Sequence, residues 1–72
     1  MDSIKNFSIM EVKETGAKSI MVYYFSGVIR EYFCTNGAKL PSSVLEAISS
    51  GSFRIAKTRE SEKMYGQWYE RI

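Results

Sequence analysis

Histidine, the side chain best suited to proton transfer near neutral pH, is absent from this 72-residue chain. Serine and cysteine nucleophiles activated by imidazole are therefore excluded, and so is a zinc site built on nitrogen and sulfur ligands. Cys34 is the only cysteine. It forms no internal disulfide, and among strand aromatics it reads as a small buried hydrophobe rather than a thiolate activated by Arg30 four residues earlier. Glu60 and Glu62 lie in a charged segment beside Arg59 and Lys63. Hard cations require several converging oxygens, which this segment does not supply. The five glycines, Gly16, Gly27, Gly37, Gly51 and Gly66, stand singly, so no phosphate-cradling loop exists. No catalytic residue, metal or cofactor is expected, and a histidine-free nuclease using Arg, Lys, Tyr and Glu is the residual enzymatic reading.

What remains is recognition. Of the residues, 44% are hydrophobic and 14% aromatic, and tyrosine, tryptophan, arginine and methionine are the types that carry interface energy. Net charge is +2. The excess falls in residues 52–72, where Arg54, Lys57, Arg59, Lys63 and Arg71 face Glu60, Glu62 and Glu70. The candidate binding set is Tyr23, Phe25, Arg30, Tyr32, Arg54, Lys57, Arg59, Tyr65, Trp68 and Tyr69. Two partner classes fit it. A protein partner or a second copy of the chain is favoured, giving an inhibitor, adaptor or accessory factor of the kind that phages and mobile elements make, by analogy alone. Single-stranded nucleic acid is the alternative, since basic and aromatic residues interleave in the last third, but a pI of about 8.8 is low for such a domain.

The elements that position these residues are legible from turns and periodicity. Ile4–Lys13, Lys18–Phe25 and Val28–Cys34 are β-branched and aromatic runs separated by Glu14-Thr15-Gly16-Ala17 and Ser26-Gly27, with Asn36-Gly37 after the third. This spacing predicts a three-stranded antiparallel meander. A helix is predicted at about 41–50, with Val44, Leu45 and Ile48 on its apolar face, a Ser43/Glu46 capping box and Gly51 as its stop. Phe53–Thr58 alternates as a fourth strand. Residues 64–72 read as a fifth strand across a turn at 59–63, although Tyr65, Trp68 and Ile72 also fit a helical stripe. The six residues Val28-Ile29-Arg30-Glu31-Tyr32-Phe33 resemble one strand of the single-strand-binding transcriptional coactivators, a match that assigns no family.

The expected fold is therefore α+β, one domain over residues 1–72, in the order β-β-β-α-β-(β). The start of the chain lacks a signal-peptide pattern and no apolar run spans a membrane, so the expected compartment is the cytoplasm with no membrane partner. No small-molecule site is evident. Ile20, Val22 and Tyr24 alternate with Met21, Tyr23 and Phe25, so both faces of the second strand are apolar. One short helix shelters one face, and an aromatic patch drawn from Tyr23, Phe25, Tyr32, Tyr65 and Tyr69 is expected on the other.

Overall fold

A computed structural model describes residues 3–35 and 39–72; the expected Asn36-Gly37 turn lies outside them. Five strands, β1 (Ile4–Val12), β2 (Lys18–Tyr24), β3 (Ile29–Cys34), β4 (Phe53–Glu60) and β5 (Met64–Arg71), form one sheet, with the helix α1 (Ser42–Ser49) between β3 and β4. Every pairing is antiparallel, and the spatial order is β3-β2-β1-β5-β4. The three-stranded meander forms, but β1 is central rather than an edge, because β5 pairs with its free side. Residues 64–71 are a strand, and the helical stripe of Tyr65, Trp68 and Ile72 is not used. No helix among the described residues is long and apolar enough to cross a membrane.

Turn chemistry sets the hairpins. Gly16 (φ 74°) and Gly27 (φ 93°) adopt left-handed backbone that other residues avoid. The Gly16 N–H donates to the Val12 carbonyl at 2.7 Å, and the Gly27 N–H to the Tyr24 carbonyl at 3.0 Å. The turn between β4 and β5 is shorter than its charged composition suggests. Only Ser61, Glu62 and Lys63 form it, closed by the Ser61 N–H donating to Met64 O at 2.8 Å, so Arg59 and Glu60 belong to β4.

The capping box is not made. Pro41 occupies the N-cap, without a side-chain hydrogen bond, and its carbonyl accepts from Val44 N–H and Leu45 N–H. Pro41 lacks an N–H, and an N–H at the start of a helix has no intrahelical partner, so proline fits the cap; the helix then begins at Ser42 and Ser43 lies inside it, away from the cap. The buried stripe also differs from the expected one. Val44 and Ala47 are buried, whereas Leu45 and Ile48 are exposed. Gly51, at φ 75°, stops the helix as expected.

Beneath the helix lies the core: Phe7, Ile20, Val22, Cys34, Val44 and Ala47, flanked by Ile4, Ile9, Tyr24, Tyr32, Leu40, Phe53 and Tyr69. Phe7 lies between Val22 on β2 and Tyr69 on β5. Its ring stacks on Tyr69 (4.5 Å between centroids, 10° between planes) and meets Phe53 edge-on at 5.2 Å. At one end of the sheet Arg71 acts as a pin. Its guanidinium lies 4.8 Å from the Phe53 ring and 5.6 Å from Phe25, and both Nε and Nη2 donate to the Ile4 carbonyl.

Phe7→Ala should lose about 3–5 kcal/mol of unfolding free energy, the usual cost of emptying a buried aromatic site. Chemical denaturation checks this, with the exposed-face substitution Leu45→Ala expected to cost far less.

Candidate functional site: the open face of the sheet

Residues directly opposite in an antiparallel sheet share a face, so the register reads each face as rows running from β3 to β4. The face away from the helix has three complete rows. The first is Phe33, Ser19, Met10, Gly66 and Arg59; the second is Glu31, Met21, Ser8, Trp68 and Lys57; the third is Ile29, Tyr23, Asn6, Glu70 and Arg54. Beyond the first row, Val12 stands opposite Met64. No described segment of the chain packs over these rows as the helix does over the other face.

A β-bulge determines the cationic edge. Simple alternation along β4 puts Lys57 with Phe53 and Ile55, but the register shifts between Ile55 and Lys57, and Lys57 comes to lie opposite Trp68. An extra residue in one strand flips every side chain beyond it to the other face. Arg54, Lys57 and Arg59 consequently line one side of the open face.

Trp68 is the central feature of that side. At Gly66, its neighbour two residues away on the same face, a Cβ would overlap the flexible end of Met10 at Sδ and lie 3.1 Å from Cη2 and Cζ3 of Trp68, so both side chains would have to give way. The missing side chain lets the indole lie against the strand. Lys57 Nζ stands 5.8 Å from the indole centroid, within the range of a cation–π contact. A hollow of about 450 Å³, bordered by Met10, Arg59, Met64, Gly66 and Trp68, opens on one side of the indole. A second lies on its other side, between Asn6, Tyr23 and Glu70.

The charges on this face are unequally satisfied. Arg54 Nε donates to Glu70 Oε1 at 2.8 Å within the third row. The other ion pairs among the described residues join Lys13 to Glu60 and Lys18 to Glu11. Glu31, Lys57 and Arg59 have no ion-pair partner among the described residues. Their charges are left for solvent or for another molecule, with Glu31 near one edge and the two cations at the other.

Of the ten residues expected to bind, the structure brings Tyr23, Arg54, Lys57, Arg59 and Trp68 together on this face. It does not bring the others there. Arg30, Tyr32, Tyr65 and Tyr69 point to the helix side, as their register partners Val22, Ile20, Glu11 and Phe7 require. Phe25 lies past the end of β2 under Arg71. The expected aromatic patch thus retains only Tyr23 of its five members and gains Trp68 and Phe33. Composition drew attention to tyrosine, whereas Met10, Met21, Ile29 and Phe33, at 75% exposure, supply much of the apolar surface. Alternation in β2 and β3 was the signal that could find Met21, Ile29 and Phe33.

Cys34 is buried and unbridged, and its Sγ–H points to the Lys39 carbonyl at 3.6 Å. Among the described residues no three His, Cys, Asp or Glu side chains stand close enough to hold a metal ion. Burial against Phe7 raises the Tyr69 pKa above its ordinary value near 10, with a smaller contribution from the nearby Tyr65. No family model matches the chain, and no curated protein or solved structure does either.

Gly66→Ala should push Met10 Sδ aside, displace the indole of Trp68 and shift its fluorescence emission. Unchanged emission would contradict the close fit. At the Phe7 stack, a raised folded-state pKa means that the folded chain holds the Tyr69 proton more tightly than the unfolded chain. This contribution is complete below about pH 10 and is lost as pH rises through the folded value. Tyr69→Phe should therefore lose less stability than the wild type between neutral pH and pH 11, measured by urea denaturation across that range.

Proposed function

We propose that this chain is a non-catalytic binding module whose open sheet face docks on a protein surface. The observation that carries this reading is the register itself: Met10, Met21, Tyr23, Ile29, Phe33, Met64 and Trp68 share one face with three unpaired charges. Methionine, aromatic and arginine side chains over an area far wider than a scattered surface hydrophobe are the composition of interface cores. Methionine adds a soft, adaptable contact surface.

Trp68 is the expected energetic centre, with Met21 beside the buried Ser8 in the same row. The test uses the purified chain and a lysate of its native host. Complexes formed by the wild type, with itself or with another protein, should be lost in Met21→Asp and weakened at least about tenfold in Trp68→Ala, the scale of a central interface residue. Leu45→Asp, on the exposed side of the helix, should leave them intact. A chain that stays monomeric and captures nothing that Met21→Asp loses would end the proposal.

A second reading is favoured by one contact, the Lys57 ammonium above the Trp68 indole with Arg59 in the next row. Single-stranded nucleic acid stacks bases on such rings and neutralises phosphates on such cations. With two unpaired cations, the expected salt slope is small, about −1 to −2 in log K against log salt. Quenching of Trp68 fluorescence by an oligonucleotide at low salt, reversed as salt rises, supports it. An unresponsive indole rejects it.

A further inference from the structure

The order β3-β2-β1-β5-β4 places equal numbers of strands on either side of β1, and Ser8 sits at the centre of the open face, in the middle of the middle row. We infer that the occupant of this face is a second copy of the same chain, stacked sheet on sheet about a two-fold axis parallel to β1 and passing over Ser8. The inference rests on the docking role of the open face and names its partner.

A two-fold axis in that direction keeps each row at its height and exchanges left for right. β3 of one copy then faces β4 of the other, β2 faces β5, and β1 faces β1. In the middle row Glu31 meets the second copy's Lys57, and Met21 meets its Trp68. Unpaired charge therefore meets unpaired charge of opposite sign, and sulfur meets an aromatic ring. In the first row Phe33 comes over Arg59 of the second copy, beside the hollow left by Gly66. In the third row Tyr23 comes over Glu70, at the hollow bordered by Asn6 and Glu70. The centre of each row is Met10, Ser8 or Asn6 against itself. The small buried Ser8 lets the sheets approach the spacing of about 10 Å that stacked sheets adopt.

Other symmetric stackings fit less well. An axis across the strands puts β3 on β3 and β4 on β4, so that Glu31 faces like charge and Arg54, Lys57 and Arg59 face each other. Size also fits a dimer. Five strands at about 4.8 Å and seven residues at about 3.3 Å give a footprint of roughly 550 Å². Side-chain relief takes the accessible area of that footprint toward the roughly 800 Å² per partner of a stable complex. Aligned sheets cross at about −30°, so the rows coincide best at the centre, where Met21 and Trp68 flank Ser8.

Sedimentation velocity over a concentration series, with circular dichroism to confirm folding of each variant, tests this. The wild type should dimerise. Glu31→Lys and Lys57→Glu should each weaken the dimer at least about tenfold, because symmetry counts each contact twice. Combined in one chain, the two substitutions should restore affinity to within about threefold of wild type, since the pair is re-formed with its signs exchanged. Phe33→Lys, which sets like charge over Arg59 of the second copy, should be monomeric. A wild type monomeric to millimolar concentration overturns the inference, as does a dimer indifferent to the single charge changes or one that the double exchange fails to rescue. A monomer that still loses a captured protein on Met21→Asp removes the second copy as occupant and leaves the docking role standing. A monomer that binds only oligonucleotide overturns both.

Discussion

An eight-residue helix is about 12 Å long, and the five-stranded sheet it packs against is about 24 Å wide. Hydrophobic burial on the helix side is concentrated where that short element can reach, over Phe7, Ile20 and Val22, and everything else adjusts to the limit. Tyr69 and Phe53 extend the core sideways by ring stacking on Phe7. Arg71 then closes one end by lying across Phe53 and Phe25 while its donors hold the Ile4 carbonyl. Aromatic packing and one pinned guanidinium do here what a longer helix or a disulfide does in other small domains.

The opposite face follows from the same limit. It has no helix of its own, yet its side chains are not those of a solvated sheet, in which polar residues alternate outward. Apolar and charged positions instead form an ordered array whose left and right halves differ: acid and phenylalanine near β3, tryptophan and cations near β4. Under the proposed two-fold this asymmetric array is set against its own rotated image, acid opposite cation. The fit of Trp68 over Gly66 is built into the folded monomer, so little rearrangement is needed for this half of the face to meet another surface.

Two bulges connect local backbone to this arrangement. The one in β4 moves Lys57 onto the open face, and without it the indole of Trp68 has no cation above it. The one at Lys5 in β1 lies at the end of the sheet where Ile4 meets Tyr24 and Arg71. A single extra residue changes which face a charge occupies at little cost in pairing, and bulges are found where a side chain must be re-aimed.

Much of the architecture was legible in the residues. Glycines at turn positions, β-branched and aromatic runs, and the change of period near Pro41 defined five strands and a helix, because these signals are local and depend on backbone preference. Alternation in β2 set Met21 and Tyr23 against Ile20 and Val22, but it does not say which face of β3 joins them: Tyr32 was expected beside Tyr23, whereas its register partner is Ile20. The hairpin neighbours followed from the turns; what the sequence could not determine was that β5 pairs with β1. Pairing β5 with β1 sent Tyr65 and Tyr69 to the core side and Trp68 to the open side, and the bulge after Ile55 reversed the expected position of Lys57. Both are matters of register between segments some sixty or ten residues apart. A shift of one residue changes the face of every side chain in a strand while leaving composition and period unaltered.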